Sequence, residues 1–373
     1  MATMIGGHAT AEGTARYAAR FDGRLPAEHF RRLGKDLVIS SLGIGTYLGR
    51  DDDATDALYT RAVARAVEGG VNVVDTAVNY RHQRSERAVG AAVAEAINAG
   101  AVQRDEVLVA TKGGFVAFDG GVPPDPAGYV AATYVETGIV QPSELVGGQH
   151  CMSPRFLDDQ IDRSRANLGL ATIDLYYVHN PENQLDGIER EAFLRRIRVA
   201  FAALEKAVGG GRIRMYGTAT WTGYRVAPTA AGALSLPELV DAARDVGGSD
   251  HHFRVIQLPY NLAMPEAFVG ANQRVDNTLL SPLAAAERLG VYVMASASMH
   301  QGGLARNLPA MVAEALPGLT TDAQRALQFV RSTPGVGTAL VVMKSLAHVD
   351  ENSSVAAIPP VPWEQFQRLF RTA

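Results

Sequence analysis

From about residue 33 onward, short runs of Val, Ile and Leu alternate with longer stretches in which apolar residues recur every three or four positions. Compact apolar runs mark strands buried on both faces, and the longer stretches carry the period of amphipathic helices. The runs fall at 42–46, 71–74, 107–110, 173–178, 213–219, 253–258, 291–295 and 338–343; the helical stretches fall at 54–68, 85–98, 154–168, 188–208, 237–245, 281–289 and 321–332. Gly69-Gly70 supplies a stop between the first helix and the second strand. Eight strands alternating with helices predict an α/β chain closed into a parallel (β/α)8 TIM barrel. Residues 33–41, turning at Gly34-Lys35-Asp36, predict an N-terminal hairpin ahead of the barrel. The expected organisation is an extension over 1–32 and one barrel domain over 33–373.

One stretch breaks the rhythm. Residues 113–153, after the third strand, are rich in Gly and Pro and show no helical period, so they read as a long insertion. Loops of that length carry function or are disordered, and Phe115, Phe118, Tyr129 and Tyr134 argue against disorder. A flap facing the substrate and a packed surface excursion are both open.

The strand ends carry the chemistry. Asp75 follows the second apolar run, with Tyr80 five residues later; Lys112 follows the third and His179 the fourth. Taken singly, each has an ordinary explanation: a turn-forming acid, a packing ring, a strand-end cation, a core imidazole. A barrel brings such ends to one mouth. A phenol, an ammonium, a carboxylate and an imidazole gathered there form a device for delivering a proton to a carbonyl oxygen.

Composition narrows the partners. A net charge of -4 argues against a nucleic-acid partner held by phosphate attraction, and no apolar stretch is long enough for a bilayer. The single cysteine, Cys151, excludes an intramolecular disulfide, and the N-terminus lacks the pattern of a secretory signal, so a cytoplasmic location is expected. His150-Cys151 and His251-His252 have no repeated metal-ligand spacing, and no metal is expected. Only four of the 35 basic residues are lysines, which makes Lys112, directly after a strand, more suggestive.

Asp75-Thr76-Ala77-Val78-Asn79-Tyr80, then Ser85-Glu86 and Val89-Gly90, with Thr111-Lys112 and Tyr177-Val178-His179, resemble the aldo-keto reductases over nearly the whole chain from about Phe30. The resemblance implies NADP(H)-dependent reduction of a small-molecule carbonyl substrate, an aldehyde or a ketone. It makes Tyr80 the general acid, tuned by Lys112 and Asp75, with His179 orienting the carbonyl. It implies cofactor contacts from Gly45, Thr46, Asp75, Gln257, Ser296, Lys344, Ser345, His348, Glu351 and Asn352. Lys344, a cation where a helix begins, opposes the helix dipole, and an anionic partner would explain its place.

Two departures stand out. Ala219-Thr220 replaces the family's Ser-Asn after the fifth strand, and Ser296 stands where an aromatic ring usually stacks on nicotinamide. Among rivals, Gly43-Ile44-Gly45-Thr46-Tyr47-Leu48 lacks the third glycine of a dinucleotide-binding turn, and no Gly-x-Ser-x-Gly elbow appears. A cofactor-binding regulatory subunit of the same fold is the alternative to an enzyme.

Overall fold

The computed structural model describes residues 4–370. Two strands, β1 (Phe30–Leu33) and β2 (Leu37–Ser40), form an antiparallel hairpin. There follow β3 (Leu42–Gly45), β4 (Val73–Asp75), β5 (Leu108–Gly113), β6 (Ile173–His179), β7 (Ile213–Ala219) and β8 (Phe253–Pro259). A second small hairpin, β9 (Gln273–Val275) with β10 (Thr278–Leu280), precedes β11 (Tyr292–Ser296) and β12 (Thr338–Val342). The eight long-range strands close in the order β11-β12-β3-β4-β5-β6-β7-β8, all neighbours parallel. This is the expected TIM barrel. Its strands read as unbroken apolar runs because helices cover their outer faces while their inner side chains fill the axis.

The first hairpin starts at Phe30, inside the stretch assigned to the extension; Phe30 pairs with Ser40 and Leu33 with Leu37. Arg31 and Arg32 hid it, since their charges interrupt the apolar run. Leu33, Leu37 and Ile39 pack with Val73, Leu108, Leu175, Val255 and Leu340 from inside the barrel. The hairpin is therefore a floor under the N-terminal ends of the strands. The extension is itself structured, with a helix Ala11–Ala19 capped by Thr10. The Ala9 backbone N–H donates to the Asp174 carboxylate at 2.6 Å, which also accepts from Arg104 at 2.7 Å and from the Val109 N–H at 2.8 Å.

The insertion contains a helix at Pro126–Val130, contrary to the reading without helical period. Its start signals are present, with Asp125 accepting from the Gly128 N–H at 2.9 Å and Pro126 in the first turn, but five residues are too few to display a period. Tyr134, Val140, Cys151 and Phe156 form a small core beneath it. The Tyr134 hydroxyl donates to the Ala117 carbonyl at 2.7 Å. Part of the insertion is thus a packed excursion, closed at its neck where Phe115 pairs with His150 and tied to β6 by His150 on the His179 carbonyl.

Candidate active site

At the C-terminal ends of the strands lies a cavity of about 740 Å³, lined along one side by Tyr47, Asp75, Asn79, Tyr80, Phe115 and His179. Asp75 closes β4, Lys112 lies in β5 and His179 closes β6, so three adjacent strands deliver three of the four expected groups. Tyr80 reaches the same wall from the turn after β4. Lys112 is fully buried behind this wall. Its Nζ donates to Asp75 Oδ2 at 2.6 Å and to the Thr76 carbonyl at 2.8 Å, and lies 4.9 Å from the centre of the Tyr80 ring. The Tyr80 and His179 rings meet edge-on, 5.8 Å apart.

The electrostatics differ in one respect from expectation. Burial and the neighbouring Asp75 carboxylate hold the Tyr80 phenol well above the ordinary tyrosine value. Lys112 does not bring the phenol below that value: burial and Asp75 set the direction. Tyr80 therefore keeps its proton at neutral pH, and its partly exposed ring looks into the cavity. Lys112 itself is pulled below its usual range by burial, against the support of Asp75.

His179 is held well below the ordinary imidazole value by burial and by the charge of Lys112, so its ring is neutral. Its Nδ1 is buried without a partner. Its backbone carbonyl accepts from His150 Nε2 at 2.7 Å, and His150 Nδ1 accepts from Gln184 Nε2 at 2.8 Å. His150 is thereby a neutral prop between the insertion and β6, lowered to about 4 by burial.

Of the expected cofactor residues, Gly45, Thr46, Asp75, Gln257, Ser296, Lys344, His348, Glu351 and Asn352 line the cavity. Gln257 Nε2 donates to Asp75 Oδ1 at 2.8 Å, so this amide is already tied to the carboxylate that holds Lys112. Ser345 does not line it: its hydroxyl caps the helix Leu346–Ser353 by accepting from the His348 N–H at 3.3 Å. Arg306 lines the cavity and was not anticipated, since it lies in a stretch whose Gly and Pro content conceals which residues turn inward. Arg306, Lys344 and His348 put cationic or cation-capable groups on the β11–β12 side, where a phosphate-bearing molecule fits the donor set. Among the described residues no helix is long and apolar enough to cross a membrane.

A profile of the aldo/keto reductase family matches residues 41–371, and the chain belongs to that family. It is 25% identical over 201 residues to a 6-dehydroglucose reductase of Novosphingobium aromaticivorans; the match takes in 53% of this chain and 53% of that protein, about half its length. An aldo/keto reductase of Klebsiella pneumoniae, solved with NADP and acetate, superposes with a TM-score of 0.62 at 20% identity over 91% of this chain and 94% of that one. The glycerol dehydrogenase AKR11B4 of Gluconobacter oxydans does so at 0.62 and 20% over 92% and 95%. At such identities the solved structures speak for the fold.

Proposed function

We propose that this chain is an NADPH-dependent reductase that converts an aldehyde or ketone to an alcohol. One observation carries the reading: Asp75, Lys112, Tyr80 and His179 converge on one wall of a cavity whose other side holds Lys344 and Arg306. The name of the Novosphingobium relative and the NADP in the Klebsiella structure point the same way. A reduced nicotinamide bound there would supply a hydride to the carbonyl carbon.

The protein's own residues supply the rest. Tyr80 holds a proton in its elevated phenol and gives it to the carbonyl oxygen as negative charge gathers there. The phenolate left behind lies beside the Lys112 ammonium, which offsets part of the cost of a buried negative charge there. Asp75 keeps that ammonium charged in a buried place. Neutral His179 offers a ring nitrogen that orients the oxygen, and solvent at the mouth returns the proton to Tyr80.

The test is consumption of NADPH with a panel of aldehydes and ketones by wild type and Tyr80→Phe. Removing a general acid costs about 10²–10⁴-fold in kcat, while NADPH affinity is expected within about threefold of wild type. A variant that keeps full turnover overturns the assignment of Tyr80. Bound NADPH with no turnover of any carbonyl in wild type would favour the regulatory reading.

A further inference from the structure

The strand order divides the mouth of the cavity by charge. Walking β3 to β7 around the barrel, the lining side chains beyond the strand ends are Tyr47, Asn79, Tyr80, Phe115, Asn180 and Trp221. None of these carries a formal charge. The ionisable groups behind them are spoken for: Asp75 is paired with Lys112, and His179 is neutral. Arg306, Lys344, His348 and Glu351 all belong to the segments that follow β11 and β12. Cationic anchoring is thus confined to one arc, and the arc around Tyr80 and His179 offers rings and uncharged polar groups.

The polar groups of the neutral arc are idle within the protein. The Asn79 Oδ1 and Thr220 Oγ1 atoms have no partner. The Asn180 amide, the Trp221 indole N–H and the Tyr47 hydroxyl likewise bond to no described residue, and all three residues line the cavity. Tyr47 is 51% exposed and Trp221 44% exposed, although both are large rings. Flat apolar faces combined with several uncharged donors and acceptors match a molecule with C–H faces and many hydroxyls. An alkyl chain would leave the amides and the indole N–H unpaired when water is displaced, and a carboxylate would find no cation on this arc.

Trp221 is also held in place. Glu182, three residues beyond His179, is buried and points one carboxylate oxygen at the backbone N–H groups of Trp221, Thr222 and Gly223, at 2.8, 3.1 and 3.3 Å. A Cβ on Gly223 would stand 2.6 Å from the Leu234 side chain, so the turn requires glycine. A ring carried on a backbone so fixed has less freedom to lose when a ligand stacks on it.

We propose, building on the reductase reading, that the substrate is a neutral polyhydroxylated carbonyl compound, a sugar-like aldehyde or ketone, gripped by the uncharged arc with Trp221 as its stacking wall and Glu182 as the residue that positions that wall.

The experiment compares three four-carbon aldehydes with NADPH: D-erythrose, butanal and succinic semialdehyde, with rates referred to the free aldehyde form. The expected kcat/KM for erythrose exceeds each of the others at least about tenfold, the scale of two unpaired polar groups. Trp221→Ala, at an exposed side chain that leaves the core untouched, raises the erythrose KM about tenfold and the butanal KM by a smaller factor. Glu182→Gln moves the erythrose KM in the same direction, and in a Trp363→Phe background it shifts the emission of the one remaining tryptophan, Trp221. Butanal or succinic semialdehyde reduced as well as erythrose overturns this inference and leaves the reductase standing. Equal effects of Trp221→Ala on erythrose and butanal overturn the stacking role. No reduction of any of the three, with NADPH bound, overturns this inference, and overturns the reductase reading as well only if the wider panel of aldehydes and ketones is also left unreduced.

Discussion

Replacing Asp75 by asparagine removes one charge from a buried pair and leaves the other without a counter-ion. Lys112 is fully buried, and Asp75 Oδ2 lies 2.6 Å from its Nζ. At an effective dielectric constant of about 20, unit charges that close attract by about 6 kcal/mol, part of which offsets the cost of taking both out of water. The Thr76 carbonyl remains as an acceptor at 2.8 Å, so the loss falls short of the whole. The expected destabilisation of Asp75→Asn is about 3–5 kcal/mol, read from urea unfolding at neutral pH. Because the folded form then binds a proton at Lys112 less readily than the unfolded chain does, the deficit shrinks as pH rises toward the ordinary lysine value of about 10.4. The double variant Asp75→Asn with Lys112→Met removes both charges and recovers most of the loss. A single variant within about 1 kcal/mol of wild type, or a double variant whose loss is the sum of the two singles, refutes the pairing as the reason Lys112 stays charged.

Other outcomes follow from the same geometry. His150 is lowered to about 4 by burial, whereas an unfolded histidine titrates near 6.5, so folding binds fewer protons between those values. Its contribution makes stability greatest above about pH 6.5 and removes about 3 kcal/mol as pH falls to about 4; His150→Gln should flatten that part of the urea-midpoint profile, and a curve parallel to wild type would reject the idea. His29, also lowered to about 4 by burial, adds a second contribution of the same sign that His29→Gln isolates. Lys344→Ala together with Arg306→Ala should raise the KM for NADPH about tenfold or more, with a weaker salt dependence than wild type; an unchanged KM would remove these two residues from the cofactor site.

The barrel was legible because buried parallel strands leave apolar runs that few other elements imitate, and Asp75, Lys112 and His179 were legible because each directly follows or closes such a run. Arg306 was not, since the segment before it, Ser298 to Leu304, has no period from which an inward direction could be read. Glu182, in Pro181-Glu182-Asn183, carries no signal in the sequence; its partners lie about 40 residues away, as backbone N–H groups with no signature in side-chain type. The direction in which the Tyr80 phenol is shifted was not legible for a similar reason. Sequence places an ammonium near a phenol, but the folded arrangement decides that burial and Asp75 outweigh it. Gly217 is a comparable case: a Cβ there would lie 1.7 Å from the Val255 carbonyl oxygen, so glycine permits the β7 irregularity that leads to Trp221.

The hairpin Phe30–Ser40 seals the barrel underneath, with Leu33, Leu37 and Ile39 wedged among the inner side chains. With apolar side chains filling that base, the opposite rim is the end of the cylinder at which polar groups can meet a ligand.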